Sequence, residues 1–115
     1  MCGIYGSTKE FSERMIRDKL ERISFRGPEF SKFINFRNKV IFGHNRLSII
    51  DLDIRSNQPF SYKNVHIVLN GEIYNYLDIK DELIRLGYSF STTSDTEVVC
   101  VAYLKWGENC LEKFN

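Results

Sequence analysis

Apolar residues recur at helical spacing between Lys9 and Ser24, where Ile16, Leu20 and Ile23 form one stripe with Met15 alongside and Glu and Arg fill the other face. This predicts an amphipathic helix, broken by Arg26-Gly27-Pro28. Before it, the residues around Ile4 and Tyr5 suit a short strand. After it, Lys32 to Phe36 and Val40 to Phe42 read as two strands joined by a turn at Arg37-Asn38-Lys39. Gly43-His44-Asn45-Arg46 then leads into the apolar run Leu47-Ser48-Ile49-Ile50, and Asp51 to Gln58 is a polar loop ending at Pro59. Val65 to Leu69 alternates as a strand. Leu77 to Leu86 is a helix stopped by Gly87. Ser94-Asp95-Thr96-Glu97 has the spacing of a capping box, in which Ser and Glu satisfy each other's amides. It opens a helix with Val99, Tyr103 and Trp106 on one stripe, Val98 and Ala102 beside them, and Gly107 at its end. Leu111 to Asn115 carries no terminating signal. The order of elements predicts an α+β chain on a mostly antiparallel sheet.

With 115 residues the chain is sized for one domain. It is 43% hydrophobic and 27% charged, the composition of a globular rather than a disordered protein. Sixteen Lys and Arg against 15 Asp and Glu give a formal charge of +1, which makes no electrostatic case for nucleic acid or an anionic membrane as partner. The apolar runs are too short to span a bilayer, and no apolar segment of signal-peptide type follows the start. Cys2, Cys100 and Cys110 have no metal-ligand spacing. An odd cysteine count without a signal peptide points to free thiols in a reducing cytoplasm. Cys100, within an apolar helical pattern, reads as a buried core thiol.

Cys2 changes the picture. If Met1 is removed, the Cys2 thiol and its free α-amine share one residue. That amine titrates at about 7.7–8.0, so it is a base close at hand near neutral pH. A thiol with a built-in base is a ready nucleophile. The competing reading is a small hydrophobe at a loose terminus. Arg46 offers a fork that holds a carboxylate, or is a solvated surface arginine. Asn70-Gly71 has the spacing of a type I′ hairpin turn, or supplies an amide and a main-chain N–H to an oxyanion. Glu72 and Asp95 are two acids suited to an ammonium group, although an acid in the first turn of a helix is favoured for its own sake. Arg26-Gly27-Pro28 reads most simply as a rigid loop.

Taken in order, Met1-Cys2-Gly3-Ile4, Arg26-Gly27-Pro28, Gly43-His44-Asn45-Arg46-Leu47-Ser48-Ile49-Ile50-Asp51, Gln58-Pro59, Leu69-Asn70-Gly71-Glu72-Ile73-Tyr74-Asn75 and Ser94-Asp95-Thr96-Glu97 resemble the glutamine amidotransferase domains with an N-terminal cysteine, called class II. Within that family the wording is most similar to the glutamine-dependent asparagine synthetases. Glu29 stands where many relatives have aspartate. The resemblance implies a four-layer αββα Ntn-hydrolase sandwich, of which residues 1–115 would be the N-terminal portion. It implies that Cys2 attacks the side-chain amide of L-glutamine, with Asn70 and Gly71 stabilising the oxyanion. Arg46 would hold the substrate carboxylate, Glu72 and Asp95 its ammonium, and the main chain near Ile49 would add contacts. The partner implied is a synthetase domain or subunit that consumes the ammonia. ATP and magnesium are expected in that domain, which is absent from these residues; no cofactor is expected here. A homo-oligomer is compatible with this. Two other readings remain open: a non-catalytic fragment, and a module that binds glutamine without cleaving it.

Overall fold

A computed structural model describes residues 2–37, 39–47 and 53–115. Its first half is a three-stranded antiparallel sheet of β1 (Gly3–Ser7), β2 (Phe30–Phe36) and β3 (Val40–Arg46), in the order β1-β3-β2. Phe36 pairs with Val40 on either side of the predicted turn, where Arg37 is in the left-handed region at φ 51° and Asn38 lies outside the described residues. β3 runs through Gly43-His44-Asn45-Arg46, which the hydrophobic pattern placed outside the strand. These residues are held by neighbours on both edges, Gly3 opposite Asn45 and Phe30 opposite Arg46. His44 and Asn45 are fully buried on this central strand and only partly satisfied: Asn45 Nδ2 has a partner, whereas Asn45 Oδ1 and the His44 ring nitrogens make no well-formed hydrogen bond among the described residues.

The two faces of β3 do different work. Ile41 packs with Ile16 and Leu20 of α1 (Glu13–Glu21). Gly43 lies against Leu20, and Asn45 Nδ2 donates to the Leu20 carbonyl at 2.7 Å. The predicted stripe of α1 is therefore present, but Met15 points outward at 47% exposure and the helix is shorter than 9–24. Ser12 sets its start by accepting from the Met15 N–H at 3.4 Å. On the opposite face of the sheet, Phe36 meets Phe42 edge-on at 5.7 Å and the His66 ring at 4.5 Å.

His66 belongs to a second, two-stranded sheet, β4 (Phe60–Tyr62) and β5 (Val65–Ile67), turned at Lys63 with φ 51°. β4 carried no clear sequence signal. β5 ends at Ile67, two residues earlier than its alternation predicted. The hairpin rests on α3 (Asp95–Trp106), where Cys100 Sγ lies 3.7 Å from the Val65 carbonyl. α2 (Tyr76–Arg85) covers α3 from the other side; Ile79 and Leu83 join Val98, Val101, Ala102 and Cys110 in the larger core. Gly87, at φ 91°, stops the run after α2 as expected.

Because α3 is packed between α2 and β4–β5, its buried apolar residues are Val98, Cys100, Val101 and Ala102. The predicted Val99–Tyr103–Trp106 stripe is wrong in detail, for Tyr103 is 48% exposed. The capping box is half formed. Ser94 Oγ accepts from the Thr96 N–H at 3.1 Å, but Glu97 turns away from the Ser94 amide. Its buried carboxylate instead accepts from the Ser91 and Thr92 amides at 2.9 and 2.7 Å, and from their hydroxyls at 3.0 and 2.6 Å. The final residues are tied back. The Tyr74 N–H donates to the Asn115 carbonyl at 2.7 Å, and Asn75 Nδ2 donates to the Lys113 carbonyl at 2.8 Å. The architecture is α+β, as predicted, with α1 on one antiparallel sheet and α3 on the other.

Candidate active site

β1 and β3 lie side by side, so the residue entering β1, Cys2, comes next to the residue leaving β3, Leu47. Cys2 Sγ accepts from the Leu47 N–H at 3.4 Å and lies 3.6 Å from the Leu47 carbonyl. From the third side, Arg26 Nε donates to the Cys2 carbonyl at 3.1 Å. Arg26 reaches it because the next residue is glycine: a Cβ at Gly27 would overlap the Asn45 carbonyl and the Arg46 main chain. The loop is thus pressed onto the end of β3, where the Glu29 N–H also donates to the Arg46 carbonyl at 3.2 Å. Arg26-Gly27-Pro28, read from sequence as a rigid loop, holds the backbone of the candidate nucleophile.

Cys2 opens into a cavity of about 310 Å³ whose lining includes Arg46, Asn70, Gly71, Glu72 and Asp95. Every candidate residue chosen from sequence therefore borders one space, except Ile49, which lies outside the described residues. Arg46 is not a solvated surface arginine. It is 6% exposed, and its Nη1 donates to the Asp53 carbonyl at 2.9 Å and to Asn57 Oδ1 at 2.6 Å, which fixes the guanidinium in the wall. Asp95 is buried at the first turn of α3 and its Oδ2 accepts from the Ile73 N–H at 3.1 Å. Glu72 and Asn70 are exposed at the mouth. The hairpin reading of Asn70-Gly71 fails: neither residue has the positive φ a type I′ turn requires, and the hairpin turn is at Lys63.

A cation and two acids on the border of one small cavity, with a thiol on the same border, complement a zwitterionic amino acid. The other two thiols are unsuited to chemistry. Burial pushes Cys100 up to about 11, helped by the nearby negative charge of Glu97, and burial likewise raises Cys110. Burial lowers His44, fully enclosed on β3, to about 4; the charge of Arg46 acts the same way and the Leu69 main chain opposes it. His44 is thus a neutral imidazole at physiological pH. Neither of its ring nitrogens makes a well-formed hydrogen bond among the described residues. No cluster of three or more His, Cys, Asp or Glu among the described residues would hold a metal ion. No helix among them is long and apolar enough to cross a membrane.

The sequence profile of a family described as a glutamine amidotransferase domain matches residues 1–115. The chain belongs to that family. Among similar proteins, the glutamine-hydrolyzing asparagine synthetase 3 of Bacillus subtilis is 36% identical over 125 residues, covering 100% of this chain and 20% of the relative. Asparagine synthetase 1 of the same organism is 37% identical over 122 residues, covering 98% and 19%. Its asparagine synthetase 2 is 36% identical over 116 residues, covering 93% and 15%. The amidotransferase domain described here therefore spans about a fifth or less of the length of these relatives. Two residues of its site stood in motifs quoted from sequence without a role of their own. Arg26 was part of Arg26-Gly27-Pro28, read as a rigid loop, and its contact is to main chain. Gln58, quoted only within Gln58-Pro59, borders the cavity and is 8% exposed.

Proposed function

We propose that this domain hydrolyses the side-chain amide of L-glutamine, with Cys2 as nucleophile, and delivers ammonia to a synthetase domain or subunit. The observation that carries this reading is the convergence of Cys2, Arg46, Asn70, Gly71, Glu72 and Asp95 on one cavity of about 310 Å³. In this reading Met1 is removed and the freed α-amine of Cys2 takes the thiol proton. The sulfur attacks the amide carbon, and the oxygen that becomes negative is met by the Asn70 side-chain amide and the Gly71 N–H. One such donor is worth about 2.7–4 kcal/mol of barrier. The protonated amine returns its proton to the leaving nitrogen, ammonia departs, and a glutamyl thioester remains. Water, deprotonated by the same amine, then releases glutamate and restores the thiol. Arg46 takes the substrate carboxylate; Glu72 and Asp95 take the ammonium, with the main chain near Ile49 closing that end.

The same reading places α1, the two sheets and the α2–α3 pair as the layers of an αββα Ntn-type sandwich, with residues 1–115 as its N-terminal portion. It places ATP, magnesium and the ammonia acceptor, aspartate in the asparagine synthetases, in the synthetase part. The cytoplasm suits three free cysteines. An intact mass spectrum before and after an electrophilic diazo-ketone analogue of glutamine tests the reading. The expected result is a chain lacking Met1 that gains one adduct, mapped to Cys2 and prevented by excess glutamine. A processed chain that gains none would overturn it and leave a non-catalytic fragment or a glutamine-binding module.

A further inference from the structure

We infer that Gln58 is a positioning residue for the oxyanion side of the site, a role that rests on the glutamine-hydrolysing reading above. The segment that carries Asn70, Gly71 and Glu72 has little of its own to hold it. Asn70 and Glu72 are exposed, and neither side chain makes a hydrogen bond among the described residues. Yet the segment is fastened at both ends by side chains from elsewhere. At its far end the Ile73 N–H donates to Asp95 Oδ2 at 3.1 Å. At its near end the Leu69 N–H donates to Gln58 Oε1 at 2.5 Å.

Gln58 does more than fasten one end. Its Nε2 donates to Thr96 Oγ1 at 3.2 Å, and Thr96 is buried in the first turn of α3, next to Asp95. One amide group therefore ties the residue before Asn70 to the residue after Asp95. The capture of the Leu69 N–H also accounts for the early end of β5. Past Ile67 that donor points to a side chain instead of a ladder partner, and the chain leaves the strand at the border of the cavity. A donor that serves a developing charge works only if it is held in place before the reaction. Gln58 supplies that constraint without touching substrate.

The test separates binding from turnover. Gln58→Met keeps the length of the side chain and removes both hydrogen bonds. It is expected to lower kcat for glutamate release about 10- to 100-fold, less than or equal to the loss of an oxyanion donor itself. Glutamine affinity, measured by calorimetry in a Cys2→Ala background, is expected to stay within about threefold, because ground-state binding rests on Arg46 and Asp95. Gln58→Glu keeps an acceptor for the Leu69 N–H and is expected to recover most of the lost kcat. If Gln58→Met lowers affinity and kcat together, or lowers neither, Gln58 has no positioning role. If Gln58→Met does not fold, Thr96→Val removes the Nε2 partner together with the long 3.5 Å contact from Thr96 Oγ1 to Asp95 Oδ1, and it must lower kcat with glutamine affinity unchanged for the inference to stand. A processed wild-type chain that releases no glutamate defeats the parent reading, which is a different result from an active wild type with an equally active Gln58→Met.

Discussion

His44 shows what a single buried side chain does to this chain's response to acid. Its imidazole is enclosed and held at about 4, against 6.5 when free. The unfolded chain therefore binds one more proton than the folded chain between those two values, so stability falls as pH drops through that window and no further below it. The group's share of that loss is on the order of 3 kcal/mol. Urea unfolding at pH 7 and pH 4 should show the loss in the wild type and a smaller one in His44→Leu; an equal loss in both would remove His44 as its source. The cysteines give a second residue-scale prediction. With Cys100 near 11 and Cys110 also raised, few thiolates form there at pH 8, and both are buried. Brief iodoacetamide treatment of the folded chain should add one carbamidomethyl group, on Cys2, by peptide mass mapping. Two or three additions would mean that the cores open faster than their burial implies.

Between elements, glycine and glutamate do the fastening. Gly27 lets the loop after α1 press on β3, and any Cβ there meets backbone, which cannot swing aside. Gly27→Ala should cost about 1–3 kcal/mol, the usual penalty of overpacking, and should also move Arg26 off the Cys2 carbonyl. The measurable outcome is a loss of glutamine-analogue labelling larger than the loss of stability explains. Glu97 fastens the 91–92 loop to α3, its carboxyl accepting from the amides and hydroxyls of Ser91 and Thr92. Glu97→Ala leaves the Thr92 amide and hydroxyl buried without their acceptor, and a destabilisation of about 3 kcal/mol is expected in urea unfolding. These cases also mark where sequence reading stops. Helix stripes and the β2–β3 pair were legible, because period and turn are local properties. β4, the true length of β3 and the true partners of Glu97 were not, since each depends on what lies across a sheet or a loop. Six of the seven candidate residues, Cys2, Arg46, Asn70, Gly71, Glu72 and Asp95, were picked out in sequence by their chemistry and do border one cavity; Ile49 lies outside the described residues. Arg26 and Gln58 act on backbone groups, and backbone contacts leave no residue-type signature.

At the scale of the molecule, two separate cores share one site. Ile16, Leu20 and Ile41 form the core under α1, and Ile79, Leu83, Val98, Val101, Ala102 and Cys110 form the core of α2 and α3. Cys2, Arg26 and Arg46 ride on the first, whereas Asp95 and the Asn70 segment ride on the second. The cavity therefore exists only while the two halves are joined. One contact of the joint is the Phe36 ring against His66 at 4.5 Å, with Phe36 itself braced by Phe42; His44 against the Leu69 main chain is another. Phe36 is only half-buried, so Phe36→Ala should cost on the order of 1–2 kcal/mol, below the value for a fully buried ring. Leu83→Ala, at 0% exposure inside the larger core, should cost about 2.7–5.0 kcal/mol. Stability alone would rank Leu83→Ala as the more damaging change. The location of the site predicts the opposite order for function. Under conditions where both variants remain folded, Phe36→Ala should label more slowly with the diazo-ketone analogue, while its Cys2 reacts with iodoacetamide at the wild-type rate. Leu83→Ala should label normally with both reagents. Slower analogue labelling in Leu83→Ala than in Phe36→Ala would mean that the site follows overall stability and not the joint between its halves.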